Sequence, residues 1–297
     1  MDRLEEWRIF VAVGTLRSFA GAARSLGRSP QAATRAVAAL EDRIGARLLN
    51  RTTRSVSLTS DGQRYLERGR RAIAELELLE SPSDATAALR GVLTVTAPVL
   101  FGQLHVVPVV AELLALHPAL DVRLLLLDRV VSLAEEGIDV GVRIGPLPDS
   151  SLRARVVGHV RAVVCAAPAY LERAGRLRDP DALVDHACIS FSGTTPIADR
   201  WSFRSTGSRE RSIAVKPRLV VNTGQAAIDA ALAGVGIVRV LSYQVDQLVA
   251  EGKLAILLRS FEPEPVPVNL VQLPGVQARA AVAFMELAAE RLRAKLS

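Results

Sequence analysis

Several residue types are scarce in this 297-residue chain, and each scarcity excludes a class of protein. Aromatic residues make up 4% of the sequence, which argues against single-strand nucleic-acid binding by base stacking. Two cysteines do not form a disulfide framework, and the four histidines lack the spacing of metal ligands, so we expect no metal. Cys165 and Cys188 each lie in a short apolar run typical of a strand. We interpret both as buried hydrophobes, with a redox switch as the alternative.

Signatures of catalysis are missing as well. The motifs GxSxG, GxxxxGK[ST], HExxH and paired CxxC do not occur. The lone Gly-Val-Gly at 234–236 precedes a strand pattern, whereas a dinucleotide-binding fingerprint needs GxGxxG after a strand. We therefore expect neither an enzyme nor a cofactor. No signal-peptide pattern and no membrane span are expected either, which predicts a soluble, cytoplasmic protein.

The excess positive charge lies entirely in the first quarter of the chain. Residues 1–71 carry fourteen basic and seven acidic groups, a net charge of +7. The other 226 residues carry 23 basic and 24 acidic groups, a net charge of −1. A basic region of this kind is what binding to a polyanion requires.

Within that region, residues 18–41 have the pattern of two short helices joined by a tight turn. Ser18 is placed to cap the first helix, and Gly27 supplies the positive φ that ends it. Ser29 and Pro30 then start the second helix as its N-cap and first residue. This arrangement is typical of a helix-turn-helix.

The second helix has one apolar face and one polar face. The apolar face is formed by Ala33, Val37, Leu40 and Ile44, and the opposite face by Gln31, Thr34, Arg35 and Ala38. The polar face is small, hydrogen-bonding and basic, which suits entry into a DNA major groove and contact with base edges. The alternative is an alanine-rich helical hairpin inside a larger core.

A short strand pattern follows the second helix. Val56 and Leu58 alternate with polar residues, and the preceding Arg51, Thr52, Thr53 and Arg54 would form the tip of a small β wing. Arginine and threonine at such a tip suit contact with backbone phosphates or the minor groove. A solvated basic loop is the alternative.

A long charged helix is predicted next, capped by Thr59 and running from Ser60 to about Asp84. Its apolar positions form a narrow seam: Leu66, Ile73, Leu76 and Leu79. A narrow seam on a long charged helix requires a partner helix, so we expect the protein to form at least a dimer. Pairing here would place two recognition helices on one face of double-stranded DNA.

From Leu93 onward, strand and helix patterns alternate, which predicts a parallel-type α/β sheet with helices on both faces. Ligands bind such sheets at the carboxyl ends of strands. The candidate ligand-binding residues at those ends are Thr96, Pro98, Val99, Phe101, Arg143, Ile144, Asn222 and Thr223. Hydroxyl and amide groups, a helix N-terminus after Gly102 and an apolar wall favour a small organic acid or a polar aromatic molecule.

The run from Phe19 to Gly62 resembles the DNA-binding segment of LysR-type transcriptional regulators, which are bacterial winged helix-turn-helix proteins. The resemblance continues in order through LTVTAPVLFG (93–102), EEGIDVGVRIGPLPDSSL (135–152), CAAPAYL (165–171), LVVNTGQAAIDAALAGVGI (219–237) and RVLSYQV (239–245). It therefore covers nearly the whole chain.

This resemblance implies an α/β protein overall with three parts. They are a mostly helical winged helix-turn-helix at 1–59, a linker and dimerisation helix at 60–90, and an effector domain at 91–297. The effector domain would resemble periplasmic solute-binding proteins, with one subdomain at 91–161 plus 267–297, a second at 162–266, and two crossing strands. A small-molecule cleft would lie between the subdomains, and the assembly would be a tetramer built as a dimer of dimers.

Carried over position by position, the resemblance assigns DNA contacts to Ser29, Gln31, Thr34, Arg35, Arg51, Thr52 and Arg54. Thr34 replaces a common serine, which keeps the hydroxyl and adds a methyl group that can touch thymine. Two other readings stay open. One is a solute-binding or transport protein that uses only the α/β part, and the other is an enzyme that uses the cleft, with Cys165 or Cys188 as its candidate nucleophile.

Overall fold

A computed structural model gives the architecture of the chain. The structure describes residues 2–51, 56–80, 89–147, 151–191, 200–204, 210–275 and 277–296. The first part, here called the head, contains helices α1 (Arg3–Leu16), α2 (Phe19–Ser25) and α3 (Pro30–Ile44), and strands β1 (Leu49–Arg51) and β2 (Val56–Leu58). Helix α4 (Ser60–Glu80) leaves the head.

The helix boundaries in the head confirm the predicted caps. The Ser18 Oγ accepts a hydrogen bond from the Gly21 N–H at 3.0 Å, and the Ser29 Oγ accepts one from the Ala32 N–H at 3.2 Å. Gly27 has a φ of +63° between the two helices. Thr59 caps α4, because its Oγ1 accepts from the Gly62 N–H at 2.9 Å. The local signals therefore determine where each helix begins.

The core of the head is formed by α1, α2 and α3 together with the first turns of α4. Phe10 and Leu40 are fully buried, and the Trp7 ring meets the Phe10 ring edge-on with centroids 5.9 Å apart. Leu66 of α4 is 2% exposed and belongs to this same core. The prediction that Leu66 contributes to a seam between two chains is therefore wrong, because its side chain is already buried within its own head.

The first subdomain begins with strand β3 (Arg90–Ala97), and one continuous helical segment follows it. This segment consists of α5 (Val99–Phe101), a π-helical turn (Gly102–Val106) and α6 (Val107–Leu116). Strands β4 (Ala119–Leu126), β5 (Val140–Ile144) and β6 (Arg153–Val160) complete this stretch. Strand β3 pairs in parallel with both β4 and β5.

The second subdomain contains β7 (Ala162–Ala166), α7 (Pro168–Ala174), β8 (Cys188–Phe191), β9 (Arg200–Arg204), β10 (Glu210–Ala214), β11 (Pro217–Val221), α8 (Gly224–Leu232), β12 (Ile237–Leu241), α9 (Ser242–Ala250) and β13 (Ala255–Leu257). Five of these strands form one sheet in the order β11-β8-β12-β7-β13, and a separate hairpin lies beside it. Strands β9 and β10 form the hairpin, whose Trp201 and Phe203 are buried.

The chain then returns to the first subdomain through β14 (Val266–Gln272) and ends in α10 (Arg279–Leu296). Strand β14 lies between β5 and β6 and is antiparallel to both. The two segments that cross between subdomains are joined by an ion pair, in which the Arg161 guanidinium lies 2.7 Å from the Glu262 carboxylate. Two subdomains joined by two crossings are the architecture that the family resemblance implies.

Both sheets are mixed, which corrects the expectation of a parallel-type sheet. In the second sheet, β7 is antiparallel to β12 and β13, while β8 is parallel to β11 and β12. The hydrophobic runs that predicted these strands are almost equally apolar in either direction of pairing. Their direction is set by the path of the chain between the two subdomains, since β7 follows directly from β6 and β14 returns to the first sheet, rather than by local sequence.

One helix needs separate comment because it is strongly apolar. By length and composition, Val99–Leu116 meets the criterion for a membrane-spanning helix, the one such segment among the described residues. The expectation of no candidate span is corrected to this extent. Core helices pass the same test, and here Phe101, Val106 and Leu113 are buried against the first sheet.

Candidate functional site

The outer face of α3 presents the side chains that the sequence predicted for it. Gln31, Thr34 and Arg35 are exposed, while Val37 and Leu40 on the opposite face are fully buried. The Thr34 hydroxyl donates to the Pro30 carbonyl at 3.0 Å, which leaves its oxygen free to accept. In the described part of the chain, the Arg35 guanidinium makes no ion pair. The face therefore offers an amide, a hydroxyl and a cation side by side.

Other arginines of the head are used to hold its helices together. Arg28, in the turn before α3, pairs with Glu5 of α1 at 2.6 Å. Arg43, near the end of α3, pairs with Glu6, whose side chain is 10% exposed. The net charge of +7 for residues 1–71 already counts these two acids, and the ion pairs show that Arg28 and Arg43 are the arginines that they neutralise. The sequence analysis assigned no role to Glu5 or Glu6.

The start of the wing is fixed to the end of α3. The Glu41 Oε1 accepts hydrogen bonds from the Leu48 N–H at 2.8 Å and the Leu49 N–H at 3.0 Å. Strands β1 and β2 then pair antiparallel, with Arg51 opposite Val56. The predicted wing strand is confirmed, while Thr52, Thr53 and Arg54 lie outside the described residues.

In the α/β part, the residues after β3 begin the helical segment at one side of the cleft. Thr96 is 3% exposed, and its hydroxyl donates to the Leu125 carbonyl at 2.9 Å. Pro98 precedes α5, and the Val99 N–H donates to the Asp128 Oδ1 at 3.0 Å. A protein carboxylate thus occupies the N-terminus of the helical segment. The sequence predicted a helix N-terminus for an anionic ligand after Gly102, and this prediction is wrong, because the helical segment already begins at Val99 and continues through Gly102.

Asp128 is a site residue that the sequence analysis missed. It lies two residues after the end of β4, near the same strand end that Thr96 and Pro98 mark in the neighbouring β3. Applying the strand-end rule to every strand, rather than to three of them, would have found it.

Aromatic side chains join the two subdomains beside this helix start. Phe101 is fully buried, and its ring centroid lies 4.7 Å from that of His105 and 5.2 Å from that of Tyr243 in α9. In the described part of the chain, both ring nitrogens of His105 are buried without a hydrogen-bond partner. Burial, and secondarily the charge of Lys295, lowers the pKa of His105, so the imidazole is neutral.

The second side of the cleft begins at α8. Asn222 is exposed, and Thr223 caps α8 through a 3.3 Å hydrogen bond from the Ala226 N–H to its Oγ1. Leu100 packs with the core of the second subdomain, and a Cβ on Gly224 would lie 3.6 Å from its side chain, so the helical segment after Pro98 contacts the start of α8. The structure thus brings these two predicted groups together.

Arg143 and Ile144 lie at the end of β5 in the first subdomain. The Arg143 guanidinium donates to the Val131 carbonyl, and burial lowers the pKa of this arginine. Ile144 is half-buried and packs against the first core. Arg143 therefore has an intramolecular role, which competes with binding a ligand.

The two cysteines are buried in β7 and β8. Burial raises the pKa of the Cys165 thiol to about 12 and that of the Cys188 thiol to about 11. A thiol with so high a pKa is a poor nucleophile. Among the residues that the structure describes, no group of three or more His, Cys, Asp or Glu side chains is placed to hold a metal ion.

Comparison with protein families agrees with the two-part architecture. Residues 4–63 match the family described as "Bacterial regulatory helix-turn-helix protein, lysR family", and residues 86–293 match "LysR substrate binding domain". The chain belongs to the LysR family of bacterial transcriptional regulators. It is therefore a DNA-binding regulator with a helix-turn-helix and a substrate-binding domain, and not an enzyme.

Full-length relatives support this assignment of the LysR-type regulator. It is 31% identical to the uncharacterised HTH-type transcriptional regulator YhjC of Escherichia coli K12, over 91% of each chain. It is 34% identical to an HTH-type transcriptional regulator of Xanthomonas campestris, over 95% of this chain and 84% of the relative.

Solved structures show the same fold across the whole length of the regulator. The structure of CrgA, a LysR-type transcriptional regulator from Neisseria meningitidis, is 30% identical, with a TM-score of 0.61 over 97% of this chain and 98% of that one. Full-length OxyR C199D from Pseudomonas aeruginosa has a TM-score of 0.71 at 16% identity, covering 98% and 97% of the two chains, and this likeness shows the fold alone.

Proposed function

We propose that this regulator recognises a specific double-stranded DNA sequence through the outer face of α3. The observation that carries the proposal is that Gln31, Thr34 and Arg35 are exposed together at the start of a helix whose opposite face is buried. Glutamine pairs with adenine, and a threonine methyl group contacts the methyl group of thymine. Arg35 contributes a contact to a base or to a phosphate. Ser29, at the N-terminus of the helix, contacts a nearby phosphate.

The wing supplies the second set of DNA contacts in this proposal. Arg51, Thr52 and Arg54 contact phosphates or the adjacent minor groove, as their residue types suggest. Glu41 supports this role because it ties the start of the wing to the end of α3. The wing and the recognition helix would therefore approach DNA as one unit.

Replacing Gln31 tests base recognition directly. Gln31→Ala should lower affinity for the preferred sequence by about 1–3 kcal/mol and relax the preference at one base pair, since a bidentate base contact is lost. The measurement is the ratio of affinities for selected and scrambled DNA at constant salt. Gln103→Ala, at an exposed glutamine outside the head, serves as the matched control. An unchanged ratio in Gln31→Ala would remove the base-reading role.

The cleft between the two α/β subdomains is proposed to bind a small organic effector that regulates DNA binding in the cytoplasm. Thr96, Pro98, Val99 and Phe101 lie on one side, and Asn222 and Thr223 on the other. Arg143 and Ile144 lie at the neighbouring strand end. Of the two ligand classes predicted, a polar aromatic molecule is favoured over an organic acid. The reason is that Asp128 occupies the helix N-terminus and Arg143 already binds a carbonyl.

Replacing Asp128 distinguishes the two ligand classes. Wild-type protein should be stabilised by benzamide more than by benzoate in a thermal-shift assay, since binding to the native state raises the melting temperature. Asp128→Asn keeps an acceptor for the Val99 N–H but removes the charge, so it should improve the response to benzoate. If benzoate stabilises the wild-type protein more than benzamide does, the charge argument is wrong.

Self-association is the last part of the proposal. Ile73 is half-buried and Leu76 is 36% exposed on α4, so apolar surface remains there after Leu66 has packed in the head. A second copy of α4 would cover this surface and present two heads to one DNA site. The assembly is a dimer at least, and a dimer of dimers if the family resemblance holds at this level.

A further inference from the structure

The head contacts the first subdomain of the same chain at a junction centred on Arg70 of α4. The Arg70 guanidinium donates to the Gly137 carbonyl and, at 3.2 Å, to the Thr15 Oγ1 in the head. It also lies 3.4 Å from the Asp139 carboxylate, and the two side chains are 19% and 18% exposed. One partly buried cation therefore joins the linker helix, the end of α1 and the start of β5.

Two further contacts reinforce the junction. Arg123 of β4 donates to the Thr15 carbonyl, which lies in the last turn of α1. A cation at this end of a helix is favourable because the last carbonyls carry partial negative charge. Gln63 of α4 donates to the Glu135 carbonyl, which lies in the loop before β5.

A second arginine of the head, Arg17, lies at the edge of the junction. Arg17 ends α1 with a left-handed φ of 52° and lies close to Arg123. Burial, and secondarily the charge of Arg123, lowers the pKa of Arg17, while Glu136 partly compensates.

Three neighbouring strands connect this junction to the cleft. The Thr94 N–H of β3 donates to the Asp139 Oδ2 at 2.8 Å, and Thr94 pairs with Arg123 in the sheet. Two residues further along β3, Thr96 donates to the Leu125 carbonyl of β4. Thr94 and Arg123 lie only two residues before Thr96 and Leu125 in the paired strands β3 and β4, so the junction and the predicted ligand-binding residues share the same strands.

We propose that Arg70, Arg123 and Thr15 form a latch that fixes the orientation of the head on the first subdomain of its own chain. Leu66 packs in the core of the head, so α4 moves with the head when the latch opens. A closed latch would set the spacing of two paired heads on DNA, and this consequence rests on the proposed DNA-reading function.

Amide hydrogen exchange on the full-length protein tests the latch without DNA. Arg70→Ala, alone and with Arg123→Ala, should raise exchange of the last-turn amides of α1 and of the loop at 132–139 by about tenfold or more, since partly buried charge-assisted bonds are lost. Arg291→Ala is the matched control, because Arg291 pairs with Glu112 at 2.6 Å on an exposed surface away from the junction. Exchange at Leu40 in the head core shows that each variant is folded. Exchange rates at the junction equal to those in Arg291→Ala would overturn the latch.

DNA spacing provides the second measurement. The wild-type protein first selects double-stranded DNA from random sequences. The selected DNA is then compared with versions in which the two half-sites are moved apart by up to about 5 bp, half a helical turn. Wild type and Arg291→Ala should lose about tenfold in affinity at the longest insertion, and Arg70→Ala less than about threefold. An Arg70→Ala profile identical to that of wild type would contradict the latch. If wild type enriches no sequence, the proposed function is wrong, and hydrogen exchange still decides whether the latch exists.

Discussion

At the scale of single residues, charge pairing inside the head determines which arginines remain available on its surface. Glu5 and Glu6 of α1 hold Arg28 and Arg43, and these ion pairs fix α1 against the two ends of α3. Arg35 lies between those ends and remains exposed. The two acids of α1 therefore hold α3 in position, and the positive charge of Arg35 on its outer face is not neutralised by them.

Residue chemistry also predicts how the two thiols behave. With the pKa of Cys188 raised to about 11, about one thiol in a thousand is a thiolate at pH 8, and fewer at Cys165. A thiol-specific reagent should therefore label the native protein slowly and label two thiols rapidly after denaturation. Fast labelling of native protein at pH 8 would favour the redox-switch alternative.

Several residue roles followed from local sequence, and others depended on partners far along the chain. Ser18, Ser29 and Gly27 act on neighbouring backbone groups, so their roles as caps and turn were predictable. The Thr96 hydroxyl is used by a carbonyl 29 positions away, and Asp128 caps a helix 29 positions before it. Such pairings depend on sheet register, which local pattern does not specify.

At the scale of elements, helix α4 divides into a part that belongs to the head and a part available for a partner. The apolar positions of α4 predicted one seam, but their spacing does not specify which helix packs against each of them. Leu66 packs on α1 and near β2, where a Cβ on Gly14 would lie 3.1 Å from the Leu66 side chain. The proposed seam for a second chain is therefore shortened and starts at Ile73.

Charged substitutions along α4 should separate these two parts. Ile73→Asp with Leu76→Asp should lower the mass measured by light scattering while the head stays folded, because an unpaired charge in an apolar interface costs several kcal/mol. Leu66→Asp should instead destabilise the head by at least about 3 kcal/mol, which thermal denaturation would detect. Val130→Asp, at a side chain that is 78% exposed, is the control. If the double variant keeps the mass of the wild-type oligomer, the main contact between chains lies on another surface.

At the scale of the whole molecule, the alternation of strands and helices predicted an α/β fold but not the direction of every strand, and the division into two subdomains came from the family resemblance. Strand β14 crosses back from the second subdomain and enters the first sheet between β5 and β6. The hairpin of β9 and β10 was also missed, because Trp201 and Phe203 lie in a short segment among arginines and serines. Long-range returns of this kind depend on the full topology, which the family resemblance indicated and the local patterns did not.

The central claim is that two heads, held as a pair, read the major groove with α3. The most direct measurement is interference by 7-deazaadenine and 7-deazaguanine, which remove the N7 acceptors of the major groove, in DNA selected by the full-length protein. We predict two clusters of interference, separated by a whole number of helical turns of about 10 bp each, with binding lost at positions within each cluster. Binding that is unaffected by 7-deazapurines at every position would contradict the account.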